Sequence, residues 1–215
     1  ALLSKRHGAT SVLQFKENGY LPAAMVNYLA LLGWSYDDSQ TLFSVEELVE
    51  KFSLDKVSKN PAVFDLQKLD WMNGVYIREL PVEELFAHVL PYWQRAGLMP
   101  LEVNQELREY SLRILKELQP RMKLLAEAVE LARYFFDDQY EYNPEAVDRI
   151  LTKPQTIEIL RYLADVVAEA PQLDEEHLKP QFKAGMEKFG VKMGDLMQPL
   201  RVAITGTNVS PGIYE

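Results

Sequence analysis

An all-α chain built from two or three helical modules is the fold that this sequence predicts. Apolar residues recur at helical spacing almost throughout, and residues suited to starting helices stand repeatedly where starts are needed. No stretch alternates long enough to read as a confident strand. At 215 residues there is material for one large or two to three small domains, and 47% hydrophobic against 26% charged residues is an ordinary globular balance.

The elements follow in order. After "ENGY", Pro22 stands in a first-turn position, and Met25, Leu29 and Leu32 fall at i, i+4 and i+7 until Gly33 ends the run. In "SVEELVEKF", Ser44 and Glu47 have capping-box spacing, and Val45, Leu48, Val49 and Phe52 supply the stripe expected to be buried. "DLQKLDWMNG" sets Leu66, Leu69 and Met72 on one face; Asn73-Gly74 reads as a turn, and "GVYIREL" is compatible with a brief extended piece. Pro81 starts the helix "PVEELFAHVL", which Pro91 is expected to kink or break. Leu107, Ile114 or Leu115, and Leu118 mark the next helix, closed by Pro120, and "RMKLLAEAVELARYFF" follows with Leu124, Leu131 and Phe135 on one side. Past "FFDDQYEY", Asn143 caps "NPEAVDRIL" and Pro144 occupies its first turn. Two amphipathic helices lead to Gly190, and a last one covers "GDLMQPLRVAITG". Module boundaries are expected at 81 and 143, giving 1–81, 82–143 and 144–215.

Composition excludes several kinds of chemistry. Without cysteine there is no disulfide, Cys-based zinc site or Cys nucleophile, and His7, His88 and His177 are too scattered to suggest a metal site. No apolar run approaches the length that crosses a bilayer, and the start lacks signal-peptide features, so a cytoplasmic protein with no membrane partner is the expectation. A net charge of −9, with each third of the chain mildly acidic, argues against gripping nucleic acid by bulk electrostatics. Any RNA contact has to come from a few placed Arg and Lys residues together with base stacking.

The stretch "LSKR", followed closely by Gly8, reads by spacing alone as a solvated turn, or else as a mobile loop whose Lys5 ammonium meets developing phosphate charge. Three further stretches accompany it: "YLPAAMVNYLALLGWS", "FDLQKLDWMNGVYIREL" and "VKMGDLMQPLRVAITGTNVSPGIYE". Together the four resemble, in order and over essentially the whole chain, the post-catalytic half of bacterial-type glutamyl-tRNA synthetases. The resemblance implies the end of the class I signature loop, then a stem-contact domain and two helical anticodon-binding modules, the second truncated. One departure stands out: the family motif begins with lysine, where this sequence has Leu2. By the same resemblance Ser4, Lys5 and Arg6 would contact ATP, used with Mg2+, and Lys5 would be catalytic in glutamate activation. The nucleotide fold itself would be missing, so the chain is expected to be a fragment, inactive alone, monomeric, with glutamate tRNA as its partner.

Arg121, in "LQPRMKLL", follows Pro120, where a long planar donor can reach a base edge; it also reads as a surface arginine near Glu117. The resemblance implies that it reads the third anticodon base, a cytosine in glutamate tRNAs, which marks an enzyme that rejects glutamine tRNA. Trp71 suits a core position beside Leu66 and Leu69 and also an RNA contact, while Arg78 suits a phosphate or sugar. Lys192, Met193, Arg201, Ser210, Pro211 and Ile213 match positions that the family places near the anticodon loop. Read without the resemblance, Met193 and Ile213 are core residues and Arg201 pairs with Asp195. The acids of "ARYFFDDQYEY" would repel a phosphate backbone, so its aromatic residues read as hinge packing between modules. A helical scaffold without aminoacylation activity, and a non-discriminating relative, are the competing readings.

Overall fold

The computed structural model describes residues 11–37, 39–59 and 62–214, which are helical with no strand among them. They form two compact units that divide between Ala132 and Arg133.

In the first unit α1 (Val12–Asn18) is capped by Ser11, whose hydroxyl accepts from Gln14 N at 3.1 Å, and it stops at Gly19 with φ +97°. Helix α2 (Pro22–Ala30) begins on Pro22 as expected, but its buried face is Ala24, Met25, Asn27 and Tyr28, and Leu29 is exposed. The stripe is rotated because the Asn27 amide is needed inside: it donates to Thr41 O and accepts from Phe43 N, both at 3.0 Å. Helix α3 (Val45–Lys51) carries the full Ser44/Glu47 capping box. Of its expected stripe only Leu48 is buried; Val45, Val49 and Phe52 are exposed, Val49 by 80%. A 3-10 turn, Leu54–Lys56, follows.

Helix α4 (Leu66–Glu79) runs straight through Asn73-Gly74 and through "GVYIRE", where a turn and an extended piece are expected from sequence. Asn73 is wholly buried, and its amide serves neighbouring main chain instead of bending its own. Helix α5 (Val82–Arg95) likewise continues past Pro91. That ring lies on the exposed side, while Leu85, Phe86, Val89 and Trp93 are buried on the other and offset the lost hydrogen bond. Helix α6 (Gln105–Leu118) starts on the Asn104 cap and buries Ile114, Leu115 and Leu118. The chain then makes a 3-10 turn, Gln119–Arg121, and α7 (Glu127–Phe136) begins six residues later than "RMKLL" predicts. The delay has a cause in Glu127, whose carboxylate accepts from Lys123 N at 2.7 Å and Leu124 N at 3.1 Å and so caps its own helix from inside. Leu124 packs instead against the cluster of Phe15, Tyr20, Met25, Tyr28, Leu69 and Met72.

In the second unit Asn143 caps α8 (Pro144–Ala146) by accepting from Ala146 N at 3.0 Å, and a π-helical turn, Val147–Leu151, extends it. Helices α9 (Thr156–Glu169), α10 (Glu175–Phe189) and α11 (Met193–Thr205) follow, the last two ending on Gly190 and Gly206 with positive φ. They enclose Ile159, Leu163, Val166, Leu178, Phe182, Leu196 and Leu200. Burying one such large side chain stabilises by roughly 1.5–3 kcal/mol. Gly185 makes the α9–α10 approach feasible, since a Cβ there would lie 2.6 Å from the Tyr162 ring.

Asp174 caps α10 by accepting from His177 N at 2.9 Å, and its Oδ1 also lies 2.7 Å from His177 Nδ1. These bonds to the charged form hold its pKa below the ordinary carboxylate value, the main-chain one contributing most. A carboxylate depressed in the folded state stabilises above its unfolded pKa, and that stabilisation is lost as pH falls through the folded value. Asp174→Asn keeps an acceptor but removes the charge. Its urea midpoint is therefore expected below that of the parent at neutral pH and to converge with it in acid; a pH-independent gap would show that charge plays no part.

Candidate functional site

The residues singled out in the sequence fall in both units. Ser4, Lys5 and Arg6 lie outside the described residues.

In the first unit the site is built on α4 and on the strap of chain after α6. Helical periodicity places Leu69 and Tyr76 on the inward side of α4 and Trp71, Val75 and Arg78 on the opposite side. Leu69 and Met72 are fully buried while Trp71 is 46% exposed, so the core reading of Trp71 is corrected: much of the residue is open to solvent. Arg78 is exposed in the last turn. Arg121 is exposed at the end of the 3-10 turn and not at a helix start; its Nη1 donates to the Glu117 main-chain oxygen near the end of α6. Glu117 is thus its neighbour as the sequence suggests, through the carbonyl as well as proximity in the chain. Lys123, also exposed, adds a cation that sequence reasoning passed over; its place two residues after Arg121 in "PRMK" was the available signal.

Three fixed supports hold this strap. Gln119 Nε2 donates to Ile77 O and Leu80 O, each at 2.8 Å, closing the carbonyl end of α4. Met122 is fully buried. Asn73 Nδ2 donates to Lys123 O at 2.6 Å and to Gly19 O at 3.2 Å, while its Oδ1 accepts from Leu21 N at 2.8 Å.

In the second unit Lys192 is the exposed cap residue of α11, and Met193 and Ile213 lie half-buried against the core cluster. Arg201 does not pair with Asp195, which faces Lys153 at 3.8 Å: six residues along a helix is not a same-face spacing. Instead Arg201 Nε is buried with no hydrogen-bond partner among the described residues, as is Gln198 Oε1 three residues earlier. A donor and an acceptor left unpaired on neighbouring positions cost roughly 1–3 kcal/mol each, which an incoming polar group can recover. Gln198 is a residue the sequence did not single out; its spacing from Arg201 was the only signal. Ser210 and Pro211 are buried in the segment after α11, with Ser210 Oγ donating to Pro211 O at 3.0 Å.

The aromatic linker folds onto the end of α11. Tyr142 and Tyr140 donate to Ala203 O at 2.6 Å and Ile204 O at 2.8 Å, and their rings stack 5.7 Å apart. Gly206 permits this approach, since a Cβ there would meet Glu141 O at 2.7 Å.

These groups offer binding chemistry: guanidinium groups, a half-exposed indole, an amide acceptor and the main chain of the segment after α11. Among the described residues no cluster of His, Cys, Asp or Glu could hold a metal ion, and no helix is long and apolar enough to cross a membrane. An open hollow beside α10 is lined by Glu175, Glu176, Lys179, Pro180 and Lys183; its balanced charges do not suit a polyphosphate.

Comparison with known proteins agrees with a binding role. Residues 1–71 match the family described as the catalytic domain of class I tRNA synthetases (E and Q), and residues 84–215 match the anticodon binding domain. Glutamate–tRNA ligase 2 of Caldicellulosiruptor saccharolyticus is 39% identical over 213 residues, which is 99% of this chain and 43% of that protein. The glutamate–tRNA ligase of Moorella thermoacetica is 37% identical over 213 residues, 99% of this chain and 44% of its own length. The crystal structure of a glutamate tRNA ligase from Elizabethkingia meningosepticum, in complex with its amino acid, superposes with a TM-score of 0.76 at 26% identity, covering 98% of this chain and 40% of that one. This chain thus spans about two fifths of the length of the relatives it matches. With more than half of its residues inside the match over 84–215, it belongs to the anticodon-binding domain family.

Proposed function

We propose that the chain is the tRNA-binding carboxyl-terminal portion of a glutamate–tRNA ligase of the discriminating type. The observation that carries this reading is 39% identity to a glutamate–tRNA ligase along 99% of the chain, with an anticodon-binding match over 84–215. In this reading the modules are 1–81, 82–143 and 144–215. Trp71 and Arg78 meet the tRNA stem, and Arg121 reads the third anticodon base. Lys192, Met193, Arg201, Ser210, Pro211 and Ile213 surround the anticodon loop. The partner is glutamate tRNA, the protein is monomeric and cytoplasmic, and the parent enzyme consumes ATP with Mg2+ to attach glutamate to it. ATP would supply activation of the glutamate carboxyl, and Ser4, Lys5 and Arg6 are the residues of this chain that would reach it. The exposure of Trp71, Arg78 and Arg121 and the unpaired Arg201 Nε support these assignments.

The test is affinity for a glutamate tRNA transcript against the same transcript with its third anticodon base changed from cytosine to guanine. Tighter binding of the first is expected. Its salt dependence should be shallow for an RNA-binding protein, because a net charge of −9 leaves few phosphate contacts and each contributes about −0.7 to −0.9 to the log–log slope. Equal, negligible binding of both transcripts would leave a scaffold without RNA affinity.

A further inference from the structure

We infer that Asn73 is a positioning residue for Arg121, a role that rests on the proposed reading of Arg121 and deepens it. Nothing in the sequence around "MNG" points to Arg121, 48 positions away, yet the structure ties the two through one short strap.

From Met122 to Ala126 the chain has no helix of its own, so its course is set by what grips it. The grip comes from α4 and from the α1–α2 turn. Asn73 spends both amide protons on main-chain oxygens, one of them Lys123 O at 2.6 Å, and its own oxygen on Leu21 N. Leu125 N donates to Gly19 O at 3.0 Å, so that carbonyl is shared between Asn73 and the strap. The strap also lies close over Gly74: a Cβ there would reach Lys123 Cα and Met122 O at an ordinary contact distance of 3.4 Å, and Arg78 Nη1 at 3.1 Å. On the other side of Arg121, Gln119 is fastened to the end of the same helix.

Arg121 is therefore bracketed by α4, and α4 also carries Trp71 and Arg78 on its exposed face. A group that reads a base edge must be held to within about 0.5 Å of its working position, and a loop achieves this only when a rigid element fixes its main chain. Asn73 supplies that fixing from inside the core, without touching solvent. It acts through Arg121 and makes no contact with RNA.

The decisive experiment is a double-mutant cycle on third-base discrimination, read as the ratio of Kd values for the guanine and cytosine transcripts. Asn73→Ala is expected to reduce the ratio about tenfold, the scale of a displaced recognition group. Asn73→Ser, which keeps a short polar group at the same buried place but cannot supply both amide donations, is expected to reduce it about threefold and serves where Asn73→Ala does not fold. Neither change should alter the ratio further in an Arg121→Ala background, because coupled residues fail to add. Tryptophan fluorescence confirms folding, since Trp34, Trp71 and Trp93 all lie in the first unit. If Arg121→Ala collapses the ratio while folded Asn73→Ala or Asn73→Ser retains it, or if their effects persist without Arg121, the positioning role is overturned. If Arg121→Ala itself leaves the ratio unchanged, the reading of Arg121 fails and this inference falls with it.

Discussion

Arg121→Gln is expected to relax discrimination between the cytosine and guanine transcripts by about 1–3 kcal/mol, or roughly ten- to a hundredfold in the Kd ratio, with little change in stability. The substitution replaces a charged planar fork by a shorter neutral amide with two donors, so the match to a base edge is lost along with the charge. Stability is spared because Arg121 is exposed and the supports of the strap, Gln119, Met122 and Lys123 O, are not touched. Arg121→Lys separates the two contributions: it keeps the charge and loses the fork, so it should recover affinity for RNA without recovering selectivity. In a full-length enzyme carrying Arg121→Gln, glutamine tRNA should become a better substrate relative to glutamate tRNA. Unchanged selectivity in both measurements would remove Arg121 from the recognition machinery.

The features legible in sequence were those whose cause is local. A capping box needs only Ser44 and Glu47, and a helix start needs only Asn143 and Pro144, so spacing gives them away. Gly190 and Gly206 end helices through their own positive φ, which is also a local matter. What was misread depends on distant chain. Asn-Gly is a turn signal because both residues accept unusual backbone angles, yet in α4 the pair continues the helix, and Asn73 is fixed there by three main-chain partners from distant parts of the chain. Pro91 costs a helix its hydrogen bond, but the burial of Val89 and Trp93 decides the outcome.

Side-chain placement follows the same rule. Trp71 and Leu69 are two residues apart and end on different sides of one helix, a distinction set by where Tyr28 and Phe15 meet α4 and not by apolarity. Val49 looks like a core residue and is exposed, because it is Leu48 of α3 that reaches Trp34 and Phe43; Phe52, just past the helix, packs its ring against Trp34 with centroids 5.4 Å apart and still stays half-exposed. For the candidate site, the identities of Arg121 and Arg201 came from resemblance to a family, whereas their supports did not. The buried amide of Asn73 has no sequence signature, and the oxygen of Gln198 has only its spacing from Arg201, since each is defined by which groups converge on it.

Gly19→Ala should be the most damaging single methyl addition in the first unit, and Gly33→Ala supplies its control. Both glycines have nearly the same left-handed backbone, φ +97° and +99°, so the strain of placing a Cβ at positive φ, roughly 1–2 kcal/mol, is common to both. A Cβ at Gly33 meets nothing within 4 Å, whereas at Gly19 it would sit 2.5 Å from the main-chain nitrogens of Leu125 and Ala126. Main chain cannot swing aside as a side-chain tip can, so the strap must lift. Lifting it breaks the Leu125 N bond to Gly19 O and loosens the bond from Asn73, at about 1 kcal/mol each, with an overpacking cost of about 1–3 kcal/mol. Gly33→Ala is thus expected to lower stability by about 1 kcal/mol, after the smaller chain entropy of the unfolded state is credited, and Gly19→Ala by about 4–5 kcal/mol. Urea titrations followed by tryptophan fluorescence read this unit alone, as all three tryptophans belong to it. Equal losses at the two positions would mean that the strap is held by something other than its seat against Gly19. A large excess at Gly19 would show that the turn between α1 and α2, more than one hundred residues before the strap, sets where Arg121 stands.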